Sequence, residues 1–562
     1  IYLPDYMKYN LIAVGISTKD PSTKWEVTPN SGTAGRYVAV DITERKPITV
    51  TVTASDGTKV EKTIEIKKAP ESADASLYGL DIRGASLASG EKIDKNTGLY
   101  TVCLPENTTQ ITLKPNCAHF AKEVTVDGKA LNEDGTITVN IDNISRIHIV
   151  AEDGYTEKTY RLLYQKADGS YPYFGISEET KKEAADMLTK WNASANSSKE
   201  FTPDYWFVYM AKATGIDLDG TYVYDVTNHT YNQATDWAAA ILELCIAGEN
   251  PYDFNGVNYV EGLLGYDKDA YFGPYAANIW TYLAFRAAGY DYEKMDKLVA
   301  EIKEQAFRKT EGMADSIDMG AWAAAAIADK LTVKEKVAWA ENIYESCQKK
   351  DGEEAGIFMD NYYLIPNSNT HGCILTALNM LNVDPEMFAI SEDKSPLKTV
   401  KNMYLTEEGW FKYNLTNTYS TNFNKDMVIG LGDLVSGTNV WVSMYLDNQK
   451  LNDLITASEK LLGKGTDKQN AALQKAYDAA VAVKDKTSGF ATEYFNLQTV
   501  AKAIGSADIA PSCRMCSKET GETIDKLIAD IDKIGTVTLD KEDDIKALKK
   551  TYDELPTDVS KI

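Results

Sequence analysis

The chain has 562 residues, a length that predicts three or four domains at about 150 residues each. It carries 59 lysines and arginines against 83 aspartates and glutamates, so its net charge is −24. This acidic balance argues against nucleic-acid binding, because no basic patch offsets it. The apolar fraction of 44% is typical of globular protein and excludes wholesale disorder.

The apolar runs and the cysteines place further bounds on the chain. The longest apolar run, Met319–Ala328, is shorter than the roughly 20 residues that span a bilayer, so no membrane span is predicted. Seven cysteines do not make a disulfide scaffold. Cys103 and Cys117 could form a bridge, Cys513 and Cys516 form a lone C-x-x-C, and the state of all four stays open. We expect both chain ends to be cut from a longer protein.

The first third of the sequence has the pattern of β-structure. Pro47–Thr53 and Val60–Ile66 alternate around the turn Ser55–Thr58, as in a β-hairpin. After a linker at Lys68–Ala73, short strands separated by Asp-Gly turns continue to about residue 166. Many short strands at regular turn spacing predict two all-β sandwiches, over residues 1–70 and 74–167.

Four motifs of the second β-unit carry a resemblance to a known family: Tyr100–Val102, Val126–Gly128, Ala151–Thr156 and Lys158–Tyr160. They resemble the cadherin-like β-sandwich of bacterial surface proteins, and the first unit resembles a bacterial Ig-like domain. The resemblance implies spacer modules that hold a working domain away from a cell wall. It therefore implies an extracellular, cell-wall or cell-surface location, in a Gram-positive bacterium.

From Ser170 the pattern becomes helical, with apolar residues recurring at helical spacing between loops rich in Gly, Asn, Asp and Pro. The predicted helices are Glu178–Asn192, Pro203–Thr214, Gln233–Ala247, Gly256–Leu264, Pro274–Ala288, Tyr292–Gln305, Asp318–Lys330, Val333–Cys347, Thr370–Leu381, Ser395–Met403 and Lys425–Val435. Further helix is predicted over 451–505, and 511–562 resembles a truncated helical-hairpin repeat, with helices over Thr523–Gly535 and Asp543–Leu555.

An internal repeat relates two of these helices. When Pro251 is set against Pro385, Phe254 matches Phe388 and Asp236 matches Thr370. A helix followed by Asn/Asp-Pro-x-x-Phe thus recurs, as in a ring of helical hairpins. Together with Glu408–Phe411, the repeat resembles the α/α-toroid of the terpenoid-cyclase and prenyltransferase superfamily, in its transcobalamin and intrinsic-factor branch. The resemblance covers 170–450 and possibly extends to 510.

The complete prediction is a multidomain chain with two all-β sandwiches, an all-α toroid and a helical tail. In such toroids the starts of the inner helices line a central pocket. The predicted ligand-binding residues are Tyr205, Trp206, Asp236, Trp237, Tyr275, Asn278, Asp318, Trp322, Thr370, His371 and Asn424. The resemblance implies non-catalytic binding of a corrinoid. Because a helical tail replaces the closing β-domain of the corrinoid carriers, the ligand could instead be a glycan, a peptide or a host protein.

Two other classes of function stay open. One is a carbohydrate-active enzyme, similar to a polysaccharide lyase, in which His371 acts as a base with a tyrosine. The other is a structural or adhesive module whose central space is filled by side chains. No metal site and no cofactor are predicted, since His371 and Cys373 have poor spacing for zinc and the C-x-x-C lacks a second pair.

Overall fold

The computed structural model describes residues 1–3, 11–18, 22–35, 37–68, 72–117, 121–197, 205–215, 226, 229–308, 316–360, 365–416, 425–505, 526–527, 529–531, 533 and 541–553. Its contacts divide the chain into two compact units, residues 1–173 and 174–562. The first unit is built from β-strands and the second from helices, so the predicted order of a β-sandwich region followed by a helical region is confirmed.

The first part of the β unit is held by a small aliphatic core. Its strands are β1 (Tyr2–Leu3), β2 (Leu11–Gly15), β3 (Lys24–Thr28), β4 (Gly32–Ala34), β5 (Tyr37–Asp41), β6 (Ile48–Thr53), β7 (Lys59–Ile64) and β8 (Lys67–Lys68). They form two three-stranded antiparallel sheets, β2-β5-β4 and β3-β6-β7, and a short parallel pair, β1-β8. Val27, Val40 and Ile48 are among the residues buried in the core.

The second part is a sandwich of two sheets. Its strands are β9 (Leu77–Arg83), β10 (Ser86–Leu87), β11 (Leu99–Cys103), β12 (Gln110–Cys117), β13 (Glu123–Val126), β14 (Lys129–Ala130), β15 (Ile137–Asn140), β16 (Ser145–Val150) and β17 (Glu157–Gln165). One sheet has the order β10-β11-β17-β16-β13-β14 and the other β15-β12-β9. The alternating strands bury one face each. Tyr160 of β17 accepts a hydrogen bond from the Leu77 amide of β9 (2.9 Å), which joins the two sheets.

The helical unit begins with a series of long and short helices. They are α1 (Glu178–Ser197), α2 (Tyr205–Thr214), α3 (Ala234–Ala247), α4 (Tyr259–Leu264), α5 (Ala277–Ala288), α6 (Met295–Phe307), α7 (Ile317–Ala326), α8 (Val333–Ser346), α9 (Ser368–Met380), α10 (Pro396–Thr399) and α11 (Lys425–Ser436). Each matches a helix predicted from the sequence. The ends differ most at α1, which runs to Ser197 instead of Asn192, at α7, which passes into a 3-10 turn at Ala328, and at α10, which continues as a π turn through Tyr404.

Six of these helices contact one another in a closed cycle. The order is α2, α3, α5, α7, α9, α11 and back to α2. Helices α1, α4 and α6 contact members of this cycle and lie beside it. A closed cycle gives every inner helix two inner neighbours, so the apolar faces of the inner helices are buried without a sheet.

A three-helix bundle follows the ring. Its helices are α12 (Asn448–Glu459), α13 (Asp467–Val483) and α14 (Ala491–Gly505), and a further helix, α15 (Glu542–Asp553), lies in the tail. Leu451, Leu473 and Leu497 are buried in the bundle core. Three helices thus form over 451–505, where helix was predicted, while most of the predicted helix Thr523–Gly535 and the C-x-x-C lie outside the described residues. None of the described helices has the length and low charge that a bilayer-spanning segment requires.

Candidate functional site

Five of the six helices in the cycle begin at the same end. Trp206 is the second residue of α2, and its ring lies 5.7 Å from that of Trp280, the fourth residue of α5. It also lies 5.8 Å from the ring of Trp322, in the second turn of α7. Asp318 at the start of α7 interacts in turn with Thr370 and Asp426, at the starts of α9 and α11. Side chains from five helix starts therefore meet at one end.

Four tryptophans fill the middle of the ring. Trp280 contacts Trp322 and Trp441 with centroid distances of 5.4 and 4.9 Å, and Trp206 contacts all three. Trp441 comes from the segment after α11, and the ring of Tyr209 packs against it at 5.5 Å. Trp206, Trp280 and Trp441 are buried and Trp322 is half-buried. We call these four tryptophans the floor, and Trp322 is the one of them that is most exposed to solvent.

An acidic group stands above this floor. Asp318 and Trp322 are four residues apart on α7 and so share one helix face. Asp318 is half-buried, and desolvation raises the pKa of its carboxyl to about 6. Asp426 is 3% exposed, and desolvation raises its pKa to about 7 although neighbouring Lys425 opposes that rise. Each Asp has one buried carboxylate oxygen, Oδ1, that accepts no hydrogen bond from any group the structure describes.

One neighbour connects these carboxylates, and a second supplies a positive charge beside them. Asn369 of α9 is half-buried, and its side chain interacts with both Asp318 and Asp426. The Lys425 ammonium lies over the ring of Trp206, 3.8 Å from its centroid, in a cation–π contact. We call the group Trp206, Trp322, Asp318, Lys425 and Asp426 the recess. It combines an aromatic floor with a rim that carries two carboxylates and one ammonium.

His371 follows Asn369 and Thr370, which interact with Asp318, but its own side chain lies in the core. Its side chain is 0% exposed and stacks on Phe358 with centroids 5.0 Å apart. Its Nδ1 accepts a hydrogen bond from the Phe358 amide (3.0 Å), so in the neutral ring the proton is on Nε2. Desolvation lowers the pKa of the imidazole to about 3. A buried, neutral ring whose basic nitrogen is already occupied cannot remove a proton from a substrate.

The other predicted residues lie at helix starts but outside the recess. Asp236 of α3 accepts hydrogen bonds from the amides of Asn232 (2.9 Å) and Gln233 (3.1 Å), so it caps its own helix. Trp237 packs against Tyr231 (4.3 Å between centroids), and its indole lies so near Gly262 that a Cβ there would be 2.3 Å away. The structure therefore places the Trp237 indole against α4, while Asp236 caps the start of α3.

Two more predicted residues shape the loop before α5. The buried Asn278 accepts a hydrogen bond from the Phe272 amide (2.9 Å). Tyr275 has a left-handed backbone (φ 57°) and is 60% exposed. Thr370 is buried at the start of α9 beneath Asp318. Asn424 and the side chain of Tyr205 lie outside the described residues.

Sequence analysis missed four members of the site and its floor, which are Trp280, Trp441, Lys425 and Asp426. Trp441 lies beyond the last predicted inner helix, and no local pattern shows that its segment returns to the ring. Asp426 and Lys425 were included in the predicted helix, while the asparagine just before it was chosen as the candidate. A signal was present, because Asp426 is the second residue of α11 as Asp318 is the second residue of α7.

Other cavities lie away from the recess. One of about 530 Å³ is lined by Tyr282, Arg286, Tyr290 and Phe490, where the end of α5 meets the helical bundle. The Arg286 guanidinium there stacks on Tyr445, 4.2 Å from its centroid, and donates to the Tyr282 hydroxyl (2.7 Å). Among the described residues no cluster of three or more His, Cys, Asp or Glu is arranged to hold a metal ion.

Comparison with known proteins identifies one part of the chain. No curated protein and no solved structure is significantly similar to it. The sheet order β10-β11-β17-β16-β13-β14 belongs to the segment that matches a family profile. Residues 85–167 match the cadherin-like β-sandwich domain family, and the structure there is a β-sandwich, as the sequence motifs predict.

Proposed function

We propose that the chain is part of an extracellular surface protein of a Gram-positive bacterium, in which β-sandwich spacers present a non-catalytic ligand-binding toroid. The observation that carries this proposal is the recess, where Trp322 and Asp318 are both half-buried near the starts of the inner helices. Binding sites commonly combine an apolar surface with a few polar groups that fix orientation. Cadherin-like domains are consistent with extracellular use.

The arrangement of helices supports the toroid. An α/α-toroid needs inner helices that close on themselves and begin at one end, with outer helices between them. The cycle from α2 through α11 and the meeting of five helix starts supply both features. The family assignment itself remains part of the proposal, because fold alone does not determine function.

The tryptophan floor bears on the kind of ligand. A corrinoid would need a wide central cavity, and Trp280, Trp322 and Trp441 occupy that space with centroid distances of 4.9 to 6.4 Å. The recess instead suits a single sugar ring or side chain of a larger molecule, stacked on Trp322 and oriented by Asp318. The buried, neutral His371 does not support the lyase alternative.

Binding can be tested by thermal unfolding of the whole chain with glycans and peptides from cell walls and host surfaces. A ligand at about 100 times its dissociation constant should stabilise the helical unit by about 2.7 kcal/mol. We expect at least one to do so, and we expect Trp322→Ala to abolish the shift. Trp237→Ala is the matched control, because Trp237 is also half-buried but lies outside the recess. If no ligand binds, or if both variants bind like the parent, the proposed function is wrong.

A second candidate function is adhesion to a protein surface. Large apolar side chains are exposed around the starts of the inner helices: Tyr275 (60%), Tyr413 (41%), Ile365 (41%) and Phe307 (38%). The carbonyls of Tyr275 and Tyr413 accept hydrogen bonds from Gln305 and from the Ser368 amide at the start of α9. Exposed aromatics at such a rim suit protein contact. Replacing Tyr275 and Tyr413 with serine should reduce adhesion to immobilised host proteins while leaving small-ligand binding unchanged.

A further inference from the structure

The recess carries an excess of negative charge. Two carboxylates, from Asp318 and Asp426, act on each other there, and Lys425 is the cation that acts on Asp426. One ammonium does not balance two carboxylates once both are ionised. Charge that is partly removed from water is costly unless it is paired. The recess therefore favours a positively charged group over a neutral one.

Two unpartnered oxygens point to where such a group would bind. The Oδ1 atoms of Asp318 and Asp426 are buried and accept no hydrogen bond within the described part of the chain. The Asp426 side chain is 97% buried, since its exposure is 3%. A buried acceptor without a donor is rare in a native structure and calls for an explanation such as an absent ligand. An ammonium carries donors and no acceptor, so it would complete both carboxylates.

Lys425 shows that the floor accepts a cation. Its ammonium lies 3.8 Å from the centroid of Trp206. The ring of Trp322 is 5.8 Å from that of Trp206 and tilted from it by 32°, so the two indoles are direct neighbours. Lys425 covers Trp206, while the half-buried Trp322 stands on the same helix face as Asp318. Trp322 is therefore the second indole available to a cation beside that carboxylate.

We infer that the ligand of the recess is an alkylammonium group, held over the indole of Trp322 and hydrogen-bonded or paired to the carboxylates of Asp318 and Asp426. This inference rests on the proposed function and names its ligand chemistry. An amine of this kind is supplied by a lysine side chain of a peptide or by a de-N-acetylated amino sugar. In both, the ammonium is attached to a group that can pack on an indole, either an alkyl chain or a sugar ring.

The ionisation of the two carboxylates also predicts how ligand affinity changes with pH. The ionised forms of Asp318 and Asp426 bind the cation, and desolvation raises their pKa values to about 6 and about 7. The other groups that act on them are Asp360, Lys425 and the Cys373 thiol, and burial raises the pKa of Cys373 and of nearby Cys347, so both thiols stay neutral. The affinity for an ammonium that stays charged over this range, such as that of lysine, should fall as the pH is lowered from 8 to 5.5.

Matched pairs of probes test the inference with the whole chain. Nα-acetyl-lysine methylamide is compared with its Nε-acetylated form, and tetraglucosamine with tetra-N-acetylchitotetraose, by saturation-transfer NMR and calorimetry. We expect the charged member of at least one pair to bind about tenfold more tightly than its neutral form, with the lysine pair compared at pH 8 and the amino-sugar pair at pH 7, because sugar amines are weaker bases than lysine and lose their charge at higher pH. The pair that shows the difference identifies the source of the amine.

Variants separate the recess from a general attraction to an acidic protein. Asp318→Asn and Asp426→Asn should each weaken amine binding about tenfold. Asp296→Asn should leave it unchanged, because Asp296 is an exposed carboxylate at the same position of α6. Lys425→Met should tighten binding by removing the resident cation, a gain that loss of folding cannot mimic.

Each result decides between the two proposals. Equal binding of charged and neutral probes, abolished by Trp322→Ala, would overturn the alkylammonium inference and leave the binding function standing. Failure of every probe to bind would overturn the inference, and the wider ligand panel would then decide the function. Binding that Asp296→Asn weakens as much as Asp426→Asn would show nonspecific attraction and would also overturn it.

Discussion

Gly372 of α9 and Gly430 of α11 bring the two helix backbones into direct contact. A Cβ built on Gly430 would lie 2.4 Å from the Gly372 carbonyl oxygen, and one on Gly372 would lie 2.3 Å from the backbone of Asp426. No side chain fits between backbones at that distance. The pair therefore sets the spacing of α9 and α11 and holds Asp426 against the start of α9, where its carboxylate joins that of Asp318.

We expect Gly430→Ala to destabilise the helical unit strongly. The added methyl meets backbone atoms that cannot rotate away, and overpacking of this kind costs about 1–3 kcal/mol or more. The free energy of unfolding, followed by circular dichroism at 222 nm in urea, measures the effect. Gly320→Ala in α7 is the control, since its Cβ would have no neighbour closer than 3.6 Å. That substitution should stabilise by up to about 1 kcal/mol through helix propensity, and a Gly430→Ala protein as stable as Gly320→Ala would contradict the close contact.

Replacing two buried tryptophans, Trp441 of the floor and Trp339 of α8, should change the free energy of unfolding by different amounts. Trp441 and Trp339 are 3% and 2% exposed, but the Nε1 of Trp441 has no described acceptor while that of Trp339 donates to the Ala306 carbonyl (3.1 Å). Replacement with phenylalanine removes similar volume at both positions. Trp339→Phe also removes a hydrogen bond, so we expect it to cost about 1 kcal/mol more than Trp441→Phe. Equal losses in urea unfolding would show that the Trp441 indole has an acceptor after all.

Much of the fold was predictable because the local patterns agree with the packing. Helix α8 begins after Thr332 with Glu335 three residues on, and both reciprocal hydrogen bonds of a capping box form there. The hairpin around Asp56-Gly57 has Gly57 in a left-handed conformation, as its sequence requires. Helices split where sequence analysis gave one stretch, as in the bundle after residue 448, although Gly463, Gly465 and the N-cap Thr466 mark a break there.

The sequence predicts where the candidate site lies, at the helix starts, but not which residues form it. Helix starts are readable from sequence, so Asp318, Trp322 and Thr370 were identified as a group. The rotation of each helix about its own axis determines which of its side chains face the site. Tertiary contacts, such as that of Gly262 with Trp237, determine this rotation. For this reason Trp237 was placed in the pocket although it packs on α4. The contribution of Trp441 depends on a chain reversal after α11 that has no periodic signature.

The His371 side chain should remain neutral between pH 8 and pH 5. Its pKa is lowered by desolvation to about 3, below the ordinary value of 6.5, so its contribution to stability is complete above 6.5 and is lost as the pH falls from 6.5 towards 3. Long-range ¹H–¹⁵N NMR of the four histidines should show one ring with the proton fixed on Nε2 and no titration between pH 8 and 5. If the His371 ring titrated within that range, a catalytic role for it would be open again.

Asp426 predicts the opposite dependence of stability on pH. Desolvation raises its pKa from 3.8 to about 7, so the folded protein holds the proton more tightly than the unfolded chain. Its contribution is therefore greatest below pH 3.8 and is lost as the pH rises through 7. Asp426→Asn cannot ionise, so its stability relative to the parent should increase between pH 4 and pH 8, by on the order of 2–4 kcal/mol. Because both proteins share every other titrating group, urea unfolding of the pair at the two pH values isolates this one carboxyl. A difference that stays constant, or one that decreases with pH, would mean that Asp426 is ionised in the folded protein and already paired with a cation such as Lys425, and the recess would then have no charge left for a ligand to neutralise.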